Sequence, residues 1–136
     1  IDTLNGVDFF DDSKATNVDS VAKALETFER PVVLIMGGRK KGSKFHTLRD
    51  LIDRYTKELI VIGEAKEDIK AELGDIKPVE TATTMEDAVF KAYNAAKPGD
   101  IVLLSPACAS FDMYNSYAQR GEDFCRAVAK LGTVHG

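Results

Sequence analysis

The strongest constraint on this chain is a set of short, almost unbroken apolar runs: Val32 to Met36, Leu59 to Ile62 and Ile101 to Leu104. Runs of strand length without polar alternation belong to strands buried on both faces, the pattern of a parallel sheet packed between helices. Val7 to Phe10 and a weaker run near Val79 complete the set. The intervening segments carry apolar residues at helical spacing. Val18, Val21, Ala22, Leu25 and Phe28 form one stripe; Phe45, Leu48, Leu51, Ile52 and Tyr55 another; Ile69 and Leu73 a third; Met85, Ala88, Val89, Ala92 and Tyr93 a fourth; and Phe124, Ala127, Val128 and Leu131 a last. Thr16 or Asn17 is placed to cap the first helix, and Gly74 and Gly132 are plausible stops for later ones. Strands alternating with helices predict an α/β fold, a Rossmann-like, doubly wound and mostly parallel sheet with helices on both faces.

A chain of 136 residues is the size of one domain. Such a chain buries roughly 68% of the surface its unfolded form exposes. No repeat, linker or low-complexity stretch divides it, so residues 1–136 read as a single domain. The segment Ile1 to Val7 looks like part of a hairpin, and a first residue other than Met suggests an excised domain. Eighteen Lys and Arg against twenty-two Asp and Glu give a net charge of −4, which argues against nucleic acid as a partner. The two cysteines, Cys108 and Cys125, suit neither a disulfide framework nor a metal cluster, and no apolar run is long enough to span a membrane. These features predict a reduced, cytoplasmic protein.

In a sheet of this kind ligands gather at the carboxyl ends of the strands. Three polar loops leave strands there: Asp11 to Asn17, Gly37 to Lys44, and Ser105 to Asp112. In the first, Asp12 can accept from sugar hydroxyls and Lys14 offers a point charge just before a helix N-terminus, a pair that suits an anionic, ribose-bearing ligand. The same spacing equally suits two acids that end a strand and a cap that begins a helix. The second loop sets Arg39, Lys40, Lys41 and Lys44 among three glycines, so ammonium groups and backbone amides can surround an anion; a solvated basic turn has the same composition. A P-loop is excluded because Ser43 separates Gly42 from Lys44. The third loop is built of small residues, as expected where backbone approaches a ligand, and Ser110 is its best-placed side-chain donor. Ser110 lacks the glycine-bracketed elbow of a nucleophile. Cys108 reads as a small core residue and Cys125 as helix packing, while His46 and His135 have no second ligand at metal-like spacing.

Three segments then carry a resemblance. Asp12-Ser13-Lys14-Ala15-Thr16-Asn17, the Gly37-Gly38 loop, and Ser105-Pro106-Ala107-Cys108-Ala109-Ser110-Phe111-Asp112 followed by Tyr117-Ala118-Gln119-Arg120-Gly121 occur in the order found in the C-terminal domain of the Mur ligases. Within that family the first segment resembles the branch that adds D-glutamate; its sisters carry His-Pro-, His-Thr-Pro- or Asn-Pro-containing segments there. The likeness extends from about Gly6 to Gly132.

The resemblance implies an ATP-dependent ligase of cytoplasmic peptidoglycan precursor synthesis, which joins D-glutamate to UDP-N-acetylmuramoyl-L-alanine through an acyl phosphate. It implies that Asp12 contacts the nucleotide ribose and Lys14 lies near the nucleotide. Thr16 and Lys41 would hold the α-carboxylate of D-glutamate, with Ser110, Phe111 and Tyr117 at its side-chain end. Tyr117 stands where the family usually has Phe, Ala118 where it has Glu, and Asp11 where it often has Asn; Arg39 is a further departure. No catalytic residue is assigned to this domain and no metal. The phosphate-binding loop, the Mg ligands and a modified lysine belong to a central domain outside this chain, which would be its partner, and by itself the chain would catalyse nothing.

Two other readings compete. A receiver-type signalling module would need an Asp closing the strand that here ends Ile60-Val61-Ile62-Gly63-Glu64. A related amide ligase of the folate polyglutamylating type would bind glutamate on a similar domain.

Overall fold

The computed structural model describes residues 2–39, 44–110 and 113–135. A hairpin opens the chain: β1 (Asp2–Leu4) and β2 (Val7–Asp11) pair antiparallel, with Asp2 opposite Phe9 and Leu4 opposite Val7. Asn5 and Gly6 both take positive φ at the turn, the conformation that an Asn-Gly pair adopts most readily and that matches strand twist. The chain continues through α1 (Val18–Leu25), β3 (Val32–Gly37), a 3-10 turn (Phe45–Leu48), α2 (Arg49–Tyr55), β4 (Thr56–Ile62), α3 (Lys66–Leu73), β5 (Val79–Thr81), α4 (Met85–Ala95), β6 (Ile101–Leu104) and α5 (Tyr117–His135).

The sheet runs β1-β2-β6-β3-β4-β5, parallel throughout except for the first hairpin. This is the mostly parallel, doubly covered arrangement that the apolar runs predict. β3 lies between β6 and β4 and is buried along its whole length, so its consecutive residues serve opposite faces. Val32, Leu34 and Met36 pack on the side of α1, α2 and α3 with Leu25, Ile52 and Ile69. Val33 and Ile35 pack on the other side with Val89 of α4 and Phe124 and Val128 of α5.

Local signals account for most boundaries. Asn17 caps α1 by accepting from the amide of Ser20, and Thr84 caps α4 by accepting from Asp87. Gly74 terminates α3 as expected. Gly132 does not stop α5, which runs on to His135, because nothing in its surroundings requires a turn and helical bonding continues past it. The stripe ending at Phe28 is helical only to Leu25, and the one beginning at Phe45 starts as a 3-10 turn.

The connections place the site. α1 carries the chain from β2 past a vacant position to β3; β4 and β5 then extend the sheet outward; α4 returns across the opposite face and drops β6 into the gap between β2 and β3. The order reverses at β6. A reversal of that kind opens a crevice at the strands' carboxyl ends, where successive loops diverge to opposite faces.

Candidate functional site

The three polar loops singled out in the sequence leave β2, β6 and β3, which are neighbours at this switch point. Backbone hydrogen bonds join them directly. The amide of Asp12 donates to Leu104 at 2.8 Å, that of Ala107 to Ala15 at 2.8 Å, that of Gly37 to Pro106 at 2.9 Å, and that of Arg39 to Ala109 at 2.8 Å. Gly38 accepts from Ala65 at 3.0 Å, which ties the second loop to the start of α3. Ala107 is held at φ 63°, a left-handed conformation that costs an L-residue about 1–2 kcal/mol.

Asp12 sits at the junction of the first and third loops. One of its carboxylate oxygens accepts from the hydroxyl of Ser105 at 2.9 Å, and Ser105 is fully buried. Burial pushes the Asp12 carboxyl above the usual carboxylate range and the neighbouring charge of Asp11 adds to this, while the Ser105 bond opposes it. Lys14 is exposed on the same loop, and the carbonyl of Lys14 receives the amide of Thr16 at 2.8 Å. Thr16 is half-buried, just ahead of the cap of α1.

Asp12, Lys14 and Tyr117 share one cavity of about 710 Å³, lined also by Asp11, Gly121 and Cys125. Tyr117, at the first turn of α5, is 45% exposed, so its ring forms an open wall. The resemblance assigns Tyr117 to one ligand and Asp12 with Lys14 to another; the fold brings all three to one hollow. Ser110 is only 2% exposed and does not line that hollow. Lys41 and Phe111 lie outside the described residues.

The cavity wall is more acidic than basic. Asp11, Asp12 and Glu122 face it with Lys14 as the one cation among its described lining residues. Such a wall suits the hydroxyl edge of a sugar, for which carboxylates are good acceptors, better than an unscreened triphosphate. Among the described residues no three His, Cys, Asp or Glu side chains gather where they could hold a metal ion.

The cysteines separate. Cys108 is fully buried in the core, as its small apolar surroundings in the sequence suggest. Cys125 is exposed rather than packed: it lies on the outer side of α5 at the cavity edge, where partial burial, then Asp11 and Asp2, raise its thiol above its ordinary range.

Two residues beneath the site carry no role in the sequence reading. Arg120 is 1% exposed and donates to the carbonyl of Ser13 at 3.0 Å, and Gly121 lies against Asp11 and Ser13. A signal for Arg120 exists: it precedes Phe124 by one helical turn, so it occupies the apolar stripe of α5, where a cation is out of place.

Comparison with known proteins decides the family. The family model described as "Mur ligase, glutamate ligase domain" matches residues 1–108. The chain belongs to this family. A protein of Geotalea daltonii described as "UDP-N-acetylmuramoylalanine--D-glutamate ligase" is 51% identical over 94% of this chain. Proteins of the same description from Salinibacter ruber and Desulfatibacillum aliphaticivorans are 48% and 52% identical over 96% and 92% of it. The chain spans only 28–29% of the length of these Mur ligase relatives. Among solved structures, a domain from Haemophilus ducreyi assigned to a UDP-N-acetylmuramate:L-alanyl-gamma-D-glutamyl-medo-diaminopimelate ligase superposes with a TM-score of 0.56. It covers 93% of this chain and 95% of that domain at 15% identity, which bears on the fold of this Mur ligase domain and not on its substrate. No helix among the described residues is long and apolar enough to cross a membrane.

Proposed function

We propose that this Mur ligase domain is the C-terminal, amino-acid-binding part of an ATP-dependent ligase that joins D-glutamate to UDP-N-acetylmuramoyl-L-alanine. The observation that carries this reading is the meeting of the Asp11–Asn17, Gly37–Arg39 and Ser105–Ser110 loops at the switch point, in a chain about half identical to proteins described by that activity.

In this reading Asp12 accepts from the nucleotide ribose and Lys14 steadies the charge beside it. Thr16 and Lys41 hold the α-carboxylate of D-glutamate; Ser110, Phe111 and Tyr117 bound its side-chain end. The carboxylate of UDP-N-acetylmuramoyl-L-alanine is first phosphorylated by ATP. The D-glutamate amine then attacks the acyl phosphate, the tetrahedral intermediate collapses, and phosphate leaves. The domain contributes by fixing both carboxylates of the incoming amino acid, which orients the amine and selects the D isomer. The acidic wall around Asp12 fits a ribose better than the phosphates; in this reading the phosphate-binding loop and the Mg ligands lie in the central domain of the longer polypeptide. That domain is the partner of this one, and the whole enzyme acts in the cytoplasm.

The test is ADP release by the full-length protein with Mg-ATP and UDP-N-acetylmuramoyl-L-alanine, comparing D- with L-glutamate. Release that requires the D isomer supports the reading; release favouring L-glutamate on a folate substrate would transfer it to the polyglutamylating type. Lys41→Ala should raise the KM for D-glutamate strongly, and an unchanged KM removes Lys41 from the pocket.

A further inference from the structure

On α5 the stripe of Phe124, Ala127, Val128 and Leu131 faces the sheet, and Arg120 continues it by one turn into the fold. A guanidinium stays charged at any pH a protein tolerates, so placing one where it is 1% exposed is costly and needs a compensating task. Its contacts define that task. One terminal nitrogen donates to the carbonyl of Ser13 in the loop after β2. The other lies beneath the loop after β3: a β-carbon on Gly38 would sit 3.0 Å from it and 3.0 Å from the β-carbon of Cys108, in the loop after β6. The guanidinium therefore lies where all three loops of the site meet.

The next residue completes the junction. A β-carbon on Gly121 would stand 2.6 Å from the carboxylate of Asp11 and 2.6 Å from the hydroxyl of Ser13. Glycine is required there because the first loop rests directly on the backbone of α5. That loop is in turn braced from within, the amide of Ser13 donating to Asp11 at 3.0 Å.

We infer that Arg120 is a positioning residue for the ligand site, setting the separation between the Asp12 and Lys14 end and the Gly38 and Ser110 end, with Gly121 providing the room. Neither residue touches substrate in this arrangement; both act through the loops they hold. The inference takes the identity of the ligands, and nothing else, from the function proposed above. Because the guanidinium is bonded to the first loop and lies against the second, and those loops are assigned to different ligands, its loss weakens both together, whereas loss of a single contacting side chain weakens one.

The experiment uses the full-length ligase. Arg120→Met keeps the bulk and removes the donors; it should raise the KM for D-glutamate and for ATP by about tenfold or more each, the factor expected from the charged hydrogen bond to Ser13 alone. With both substrates saturating, kcat should stay within about twofold, the signature of weakened binding rather than altered chemistry. Arg120→Lys retains a donor for the Ser13 carbonyl and should recover part of both KM values. Hydrogen exchange gives a readout free of any substrate: the amides of Asp12, Ala15, Arg39 and Ala107, all bonded within this junction, should exchange several-fold faster in Arg120→Met. Gly121→Ala decides the matter if Arg120→Met does not fold. The clash with Asp11 and Ser13 outweighs alanine's better helix propensity, so the melting temperature should fall by a few degrees, while displacement of those two residues raises the KM for ATP.

Folded variants with KM values within about twofold of wild type and unchanged exchange at those amides overturn the positioning role. A wild-type enzyme with no D-glutamate-dependent turnover would instead remove the functional reading, and the exchange rates alone would then support or overturn the role of Arg120.

Discussion

Substituting Gly38 by alanine probes the junction of the second and third loops at a single carbon. Gly38 holds φ at 147°, outside the range that L-residues occupy comfortably, and its added β-carbon would lie 2.4 Å from the carbonyl oxygen of Ala109. That oxygen cannot retreat freely, because it accepts from the amide of Arg39 at 2.8 Å in the bridge that joins the loops. Backbone strain of this kind costs about 1–3 kcal/mol and forced overpacking about as much again. The expected loss is therefore roughly 2–6 kcal/mol, a large share of the 5–15 kcal/mol by which a domain is stable. For a domain of this size it corresponds to a fall in Tm of about 7–20 °C. Urea titrations and thermal melts followed by circular dichroism measure it. A loss below about 1 kcal/mol would refute the reasoning, since it would mean that the Arg39–Ala109 bridge yields at little cost and the loops are not clamped to each other.

The same substitution at Gly132 should have the opposite sign: this glycine lies inside α5, and a β-carbon added to it would meet no atom within 4 Å, so Gly132→Ala should gain about 0.5–1 kcal/mol in the same assay. Asp12→Asn keeps an acceptor for Ser105 but removes a charge that burial disfavours. Because the folded carboxyl titrates above its unfolded value, its contribution is lost as pH rises through that window; the Asn variant should match or exceed wild type in stability at neutral pH, with the gap closing in acid, while ligand binding falls. A less stable Asn variant at neutral pH would show that the charge is welcome in the fold. At the amino end of β6, burial acts to raise the carboxyl of Asp100, but the Lys57 ammonium at 2.7 Å and the Lys97 amide at 2.9 Å outweigh it and hold it below the usual range. Its contribution is present above the unfolded value and lost as pH falls through the folded one. Lys57→Met should cost about 1–2 kcal/mol at neutral pH and flatten the acid limb of the stability profile, without changing the KM for any substrate.

Much of the architecture was legible because it rests on local and periodic signals. Unbroken runs such as Val32 to Met36 can only be satisfied by burial on both faces, and helical stripes such as Met85 to Ala92 must meet a sheet, so a doubly covered parallel fold follows from hydrophobic pattern alone. Caps at Asn17 and Thr84 and the Asn5-Gly6 turn are likewise short-range chemistry, readable within a few residues. The motif residues 12–17 and 105–112 could be located on loops and assigned to a family by their order.

Adjacency was decided by the tertiary structure. Whether β6 enters between β2 and β3 depends on how α4 and α5 pack across the far face, a long-range choice to which no local spacing responds. That insertion brings Asp12 to Ser105, 93 positions apart, and raises its carboxyl by burial. It also turns Arg120, an anomalous cation on an apolar stripe, into the contact beneath Ser13 and Gly38, because charge burial is meaningful only once three distant loops enclose it. Gly132 looked like a helix stop and Cys125 like helix packing for the complementary reason: residue type sets what a position can do, and the surroundings supplied by the rest of the chain set what it does.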